Sequence, residues 1–114
     1  MSAGIITAYS KPLVLVTSST APAANATRTY VTIWPARGWG TLRLHVCSTG
    51  AMTINFLQRP TGSFTMRQTD TQAVAASTGT PIEFLITSDF IRLDGVEALG
   101  ATIATFELQA TLYP

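Results

Sequence analysis

His45 and Cys47 are the only histidine and the only cysteine in the chain, two residues apart in T-L-R-L-H-V-C. On a strand that spacing puts both side chains on one face, where an imidazole could take the thiol proton and leave a nucleophilic thiolate. No helix N-terminus or oxyanion loop stands near the pair in sequence, and two side chains on one β-face commonly meet without chemistry. The six acids are scattered without metal-ligand spacing. Asp89 and Asp94 flank a short strand and Glu97 follows; a glycosidase pair would have to sit about 5–9.5 Å apart in a cleft, so the three read as solvated turn acids. Gly38-Trp39-Gly40 lacks the glycine spacing and the following helix of a phosphate loop. The chain therefore reads as a non-enzyme with no catalytic, cofactor or metal residues.

Composition narrows the remaining classes. With 114 residues the chain has the length of one domain and can bury a single core without disulfide or metal. Charged residues make up 11%, against about 25% in typical soluble domains. Nineteen threonines and eight serines take their place as polar groups, a bias toward strands. Net charge is +1, which argues against duplex nucleic acid as a partner, because that needs a basic patch to neutralise several phosphates. No apolar run approaches the roughly 18 residues needed to cross a bilayer, and the N-terminal residues lack the basic segment and apolar core of a signal peptide. Asn25-Ala26-Thr27 fits a glycosylation acceptor, which without secretion is accidental. One cysteine allows no internal disulfide. Six of the seven basic residues are arginines, and protein contact surfaces are rich in Arg and poor in Lys, Glu and Asp.

Periodicity supplies the elements. The stretch 102–112, T-I-A-T-F-E-L-Q-A-T-L, alternates with Ala104, Phe106, Leu108, Ala110 and Leu112 on one face, as a half-buried strand at a sheet centre should. Before it, strands are predicted over 13–17, 28–34, 41–47, 51–58, 63–68, 82–86 and 90–94, with 69–79 a loop or weak edge. The turn Ser48-Thr49-Gly50 predicts a hairpin between 41–47 and 51–58. Residues 1–12 have mixed pattern and form an extended arm ordered mainly by a partner subunit; 13–114 form the domain. Many short strands with turns every 8 to 12 residues predict an all-β chain, a single antiparallel β-sandwich of eight or nine strands, jelly-roll-like.

Two segments carry a family resemblance: G-W-G-T-L-R-L-H-V at 38–46 and F-I-R-L-D-G-V-E-A-L-G-A-T-I-A-T-F-E-L-Q-A-T-L at 90–112. Together they resemble the small β-sandwich structural proteins of tailed-phage virions, most of all the head decoration, or cement, proteins. The resemblance implies a homo-oligomer, a trimer, that binds the assembled head from outside and holds neighbouring major capsid subunits together. It also implies synthesis in the host cytoplasm and a place on the surface of the virion head. An alternative is a sandwich module of a tail tip that stacks host sugars on Tyr30, Trp34 or Trp39.

Either role needs a contact surface. Leu57, Leu85, Phe90 and Ile103 fall out of phase with the inward set of their strands, as do Tyr30 and Trp34 if Val31 and Ile33 point inward. Several large outward hydrophobes make a patch larger than monomers usually expose. Lys11, Trp34, Arg37, Trp39, Leu57, Leu85, Phe90 and Ile103 are accordingly the candidate partner contacts.

Overall fold

The computed structural model describes residues 12–36, 38–60 and 65–114. Among them are eight strands and no helix: β1 (Leu13–Ser18), β2 (Thr27–Ile33), β3 (Thr41–Ser48), β4 (Met52–Arg59), β5 (Arg67–Val74), β6 (Thr78–Leu85), β7 (Phe90–Val96) and β8 (Phe106–Tyr113). They form two four-stranded antiparallel sheets, ordered β1-β8-β3-β6 and β2-β7-β4-β5. This is the jelly-roll order, in which nearly every connection crosses from one sheet to the other. Only β4 and β5 are consecutive and paired. The expected hairpin between β3 and β4 does not form: both strands bury alternate residues, but the Ser48–Gly50 turn carries the chain across to the opposite sheet.

The core follows from alternation. Leu42, Leu44 and Val46 of β3 face Met52, Ile54 and Phe56 of β4, with Ile91 and Leu93 of β7 and Phe106, Leu108, Ala110 and Leu112 of β8 closing the interior. Each large side chain fully buried here contributes about 1.5–3 kcal/mol through removal from water. Two ring pairs bridge the interior, Phe56 on Phe84 at 5.0 Å and Tyr30 on Phe106 at 5.6 Å between centroids. Tyr30 turns inward because it is the extra residue of a bulge in β2, between Thr29, which pairs with Asp94, and Val31, which pairs with Leu93. Gly95 makes room for it, since a Cβ there would lie 2.8 Å from the Tyr30 ring.

Tyr30 also gives a measurable signature. Its phenol donates a 2.6 Å hydrogen bond to the Thr20 carbonyl. Burial pushes its pKa up from 10 to about 12, against the opposing pull of the nearby Arg28 charge. The fold thus favours the neutral phenol: this contribution to stability is complete below pH 10 and is lost as pH rises toward 12. In a phenolate absorbance titration one tyrosine is expected to remain protonated at about pH 11 in the native protein, and Tyr30→Phe should remove that late step. A Tyr30→Phe protein with an unchanged titration curve would contradict this placement.

Three elements differ from expectation for physical reasons. β5 runs over R-Q-T-D-T-Q-A-V, joining the end of the strand predicted at 63–68 to the stretch read as a loop or weak edge; it is an edge strand, exposed on both faces except at Val74, and so shows no alternation. Phe64, predicted on the strand 63–68, lies outside the described residues, and Met66 precedes β5. β6 continues through Pro81, which an edge strand tolerates because the missing N–H faces away from the ladder. β8 lies at a sheet centre as expected but starts at Phe106, four residues late. Residues 101–105 instead fold over the sandwich end, where the Thr49 amide donates to the Thr105 carbonyl and the Thr105 amide to the Thr49 hydroxyl. That departure turns Ile103 inward, to 8% exposure, against Gly50, whose missing Cβ would lie 2.9 Å from Ile103 Cγ1. Its predicted outward position is therefore corrected, and Ala104, predicted inward, is exposed.

Candidate contact surface

Among the described residues, buried polar side chains stand at both ends of the sandwich and tie down the loops there, Gln58 at one end and Glu97 at the other. At the β6–β7 end, Gln58 is 3% exposed. Its Nε2 donates to the Thr69 hydroxyl and the Leu85 carbonyl, while its Oε1 accepts from the Thr87 and Ser88 amides. At the other end Glu97 accepts from the amides of Asn25, Leu99 and Gly100. The expectation of solvated acids fails here: Glu97 is 1% and Asp94 5% exposed, and Asp94 accepts from the Thr29 hydroxyl at 2.7 Å.

The Gln58 end gathers most of the predicted contacts. On the outer face of the β2-β7-β4 ladder, Phe90 aligns with Arg59 and Leu57 with Arg92. The Arg59 guanidinium lies 4.2 Å over the Phe90 ring, a cation–π arrangement. Arg92 is tied to Asp94, with Nε and Nη2 each 3.2 Å from Oδ2. Trp34 follows β2 directly, past the Ile33–Ile91 pair, and is 58% exposed. Aromatic side chains and arginine are enriched at protein contact surfaces in general, and this end of the sheet carries both.

The other candidates divide. Trp39 sits at the same end but is half-buried against the core, its amide donating to the Ala36 carbonyl. Leu85 is 65% exposed on β6, so it belongs to the opposite sheet. Lys11 and Arg37 lie outside the described residues. Of the three aromatics predicted to stack sugars, Tyr30 faces Phe106 inside and Trp39 packs inward, which leaves Trp34 exposed.

The outer face of β1-β8-β3-β6 has a different character. Arg43 pairs with Glu83 at 2.8 Å and lies 4.2 Å over the Tyr113 ring. Two open depressions, of about 420 and 630 Å³, meet at His45 and Gln109. His45 and Cys47 share this face as the spacing requires. β3 is an interior strand hydrogen-bonded to β8 and β6, so its amides are committed to the ladder and offer no oxyanion hole. Among the described residues no group of three His, Cys, Asp or Glu side chains is placed to hold a metal ion.

No family model and no curated protein sequence matches the chain. Solved structures do match in shape. The PBSX exported protein XepA superimposes with a TM-score of 0.71 at 12% identity, over 91% of this chain and 37% of XepA, so the chain spans little more than a third of that protein. A protein of the disulfide-linked pili that form Bacillus endospore appendages gives 0.61 at 15% identity, over 90% and 89% of the two chains. The carbohydrate-binding module CBM29-2 gives 0.50 at 10% identity, over 94% and 82%. What these likenesses establish is the fold, a small two-sheet β-sandwich.

Proposed function

We propose that this chain is a non-enzymatic structural protein of a tailed-phage virion, which decorates the assembled head and stabilises contacts between neighbouring major capsid subunits. The observation that carries the reading is the outer end of β2-β7-β4, where Trp34 is exposed, Phe90 lies under the Arg59 guanidinium, and Leu57 aligns with Arg92, whose charge Asp94 engages. Such a surface loses little solvation when it is covered, and its aromatic groups supply the area that makes covering it favourable. The charge-poor composition and the sequence resemblance point the same way. The test is co-sedimentation with purified heads of the encoding phage. The wild-type chain should pellet with them and raise their thermal breakage temperature, and Trp34→Ser with Phe90→Ser should weaken binding by at least about tenfold, as loss of central contact residues does. Undiminished binding by the double variant would exclude this surface.

A second reading, a glycan-binding module of a tail tip, is favoured by one feature. The depressions around His45 and Gln109 line up Arg43, Glu83 and Thr111, side chains able to hydrogen-bond hydroxyl groups. Saturable glycan-array binding that His45→Ala and Gln109→Ala abolish, with no binding to heads, would establish it in place of the first.

A further inference from the structure

Each sheet ends in two edge strands, β1 and β6 in one, β2 and β5 in the other. An edge strand presents a row of unpaired N–H and C=O groups, a template for another strand, and proteins blunt such edges with charge, proline or bulges. β6 contains Pro81 and Glu83, β5 contains Arg67 and Asp70, and β2 contains Arg28. β1 reads L-V-L-V-T-S and has neither charge nor proline. Leu13 and Val14 are 48% and 54% exposed, two of the five exposed large hydrophobes among the described residues. A bulge does not set β1 apart, since β1, β2 and β5 each contain one extra residue, Leu15, Tyr30 and Thr69. Among the described residues nothing pairs with the side of β1 turned away from β8.

We infer that β1 pairs edge to edge with β1 of a second copy, antiparallel about a two-fold axis. The two four-stranded sheets then become one of eight strands, ordered β6-β3-β8-β1-β1′-β8′-β3′-β6′. Three features select a second copy as the occupant. An antiparallel pair of identical strands is self-complementary, so each β1 satisfies the other and the assembly closes at two. Growth beyond two would have to use β6, β2 or β5, whose charges and proline oppose it. The uncharged L-V-L-V-T-S edges also meet without repulsion, and β-branched Val14 and Thr17, both aligned with outward residues of β8, make favourable cross-strand neighbours. Eight strands lie within the size that open sheets sustain, up to about ten. This gives a pair in place of the trimer that the family resemblance implies. It rests on the chemistry of the edge and holds whatever larger body the protein binds. Each subunit keeps its Trp34–Phe90 surface on the other sheet, so the pair is divalent.

The test is sedimentation equilibrium of the full chain across the micromolar range, with amide exchange at both ends of that range. The expected result is a reversible monomer–dimer equilibrium with a limit at twice the 12.1 kDa of one chain and amides of 13–18 better protected at high concentration. Val14→Lys and Thr17→Lys, both on exposed positions, should raise the dimer dissociation constant by at least about tenfold through like charges facing across the axis. Their far-ultraviolet circular dichroism and thermal midpoints under monomeric conditions should match the wild type. Leu99→Ser, a change at an exposed leucine outside β1, should leave association unchanged. A mass of one chain at every concentration would overturn the inference, and concentration-independent protection of β1 would then mean that the edge is covered from within the same chain. A different stoichiometry, or a dimer indifferent to the β1 lysines, would overturn it equally.

Discussion

Phe106→Asp is expected to yield no folded protein, whereas Glu107→Ala, one residue on, should be close to neutral. Phe106 opens β8, is 3% exposed and stacks on Tyr30 of the opposite sheet, so it joins the two layers near one end of the core. Removing such a ring costs about 3–5 kcal/mol, lost burial and cavity together. A carboxylate in its place must also be buried without a partner or protonated, which costs several kcal/mol more. Set against the about 5–15 kcal/mol that holds a domain folded, the sum removes most or all of the stability. Glu107 is exposed on the outer face, where substitutions usually stay within about 0.5 kcal/mol. Soluble yield and far-ultraviolet circular dichroism measure both, with Phe106→Leu as the conservative reference expected to fold. Equal tolerance of the Asp and Ala substitutions would contradict the placement of β8.

Glu97→Ala should produce the largest loss from a polar site, together with a changed dependence on pH. The carboxylate is buried and accepts from Asn25 at 2.9 Å, Gly100 at 2.8 Å and Leu99 at 3.1 Å, so it ties the β1–β2 loop to the segment between β7 and β8. Alanine leaves these amides without their acceptor. Glutamine keeps one acceptor oxygen but turns an N–H toward an N–H, so it should lie between alanine and wild type. The amide of Asn25, the largest influence, and those of Leu99, Ala101 and Gly100 hold the Glu97 carboxyl below its usual value of 4.5, against the upward pull of burial. A lowered folded pKa means that this stabilisation is present above pH 4.5 and is lost as pH falls through the folded value. Thermal midpoints followed from neutral to acid pH should therefore fall less steeply for Glu97→Gln than for wild type. Parallel curves would show that Glu97 is not the group responsible.

How much of this was legible in the sequence depends on whether an element has one wet face and one dry face. β3, β4 and β8 alternate because they do, and Leu42, Leu44, Ile54, Phe56, Leu108 and Leu112 fall where the period of two puts them. β5 carries no such signal, because backbone pairing with β4 holds it and its side chains stay in solvent. Alternation also says which residues face inward, not which sheet a strand joins. That is why a crossing connection at Ser48–Gly50 looks like a hairpin turn. Glu97 was illegible for another reason: its acceptor role depends on Asn25, 72 residues away, and nothing local marks a carboxylate as destined for burial. For the contact surface, phase alone placed Trp34, Leu57 and Phe90 outward. Their gathering on one sheet end follows from the β2-β7-β4 register, which only the fold supplies.

The central claim, our proposal that the protein decorates a phage head by covering a surface and not by chemistry, is tested most directly by cryo-electron microscopy of such heads, with and without the chain added. The account predicts sandwich-shaped density on the outside of the shell, seated between neighbouring capsid subunits, with Trp34, Phe90 and Arg59 in the contact. Heads identical in the two samples, or density held through the His45–Gln109 face with the Trp34 end in solvent, would contradict it.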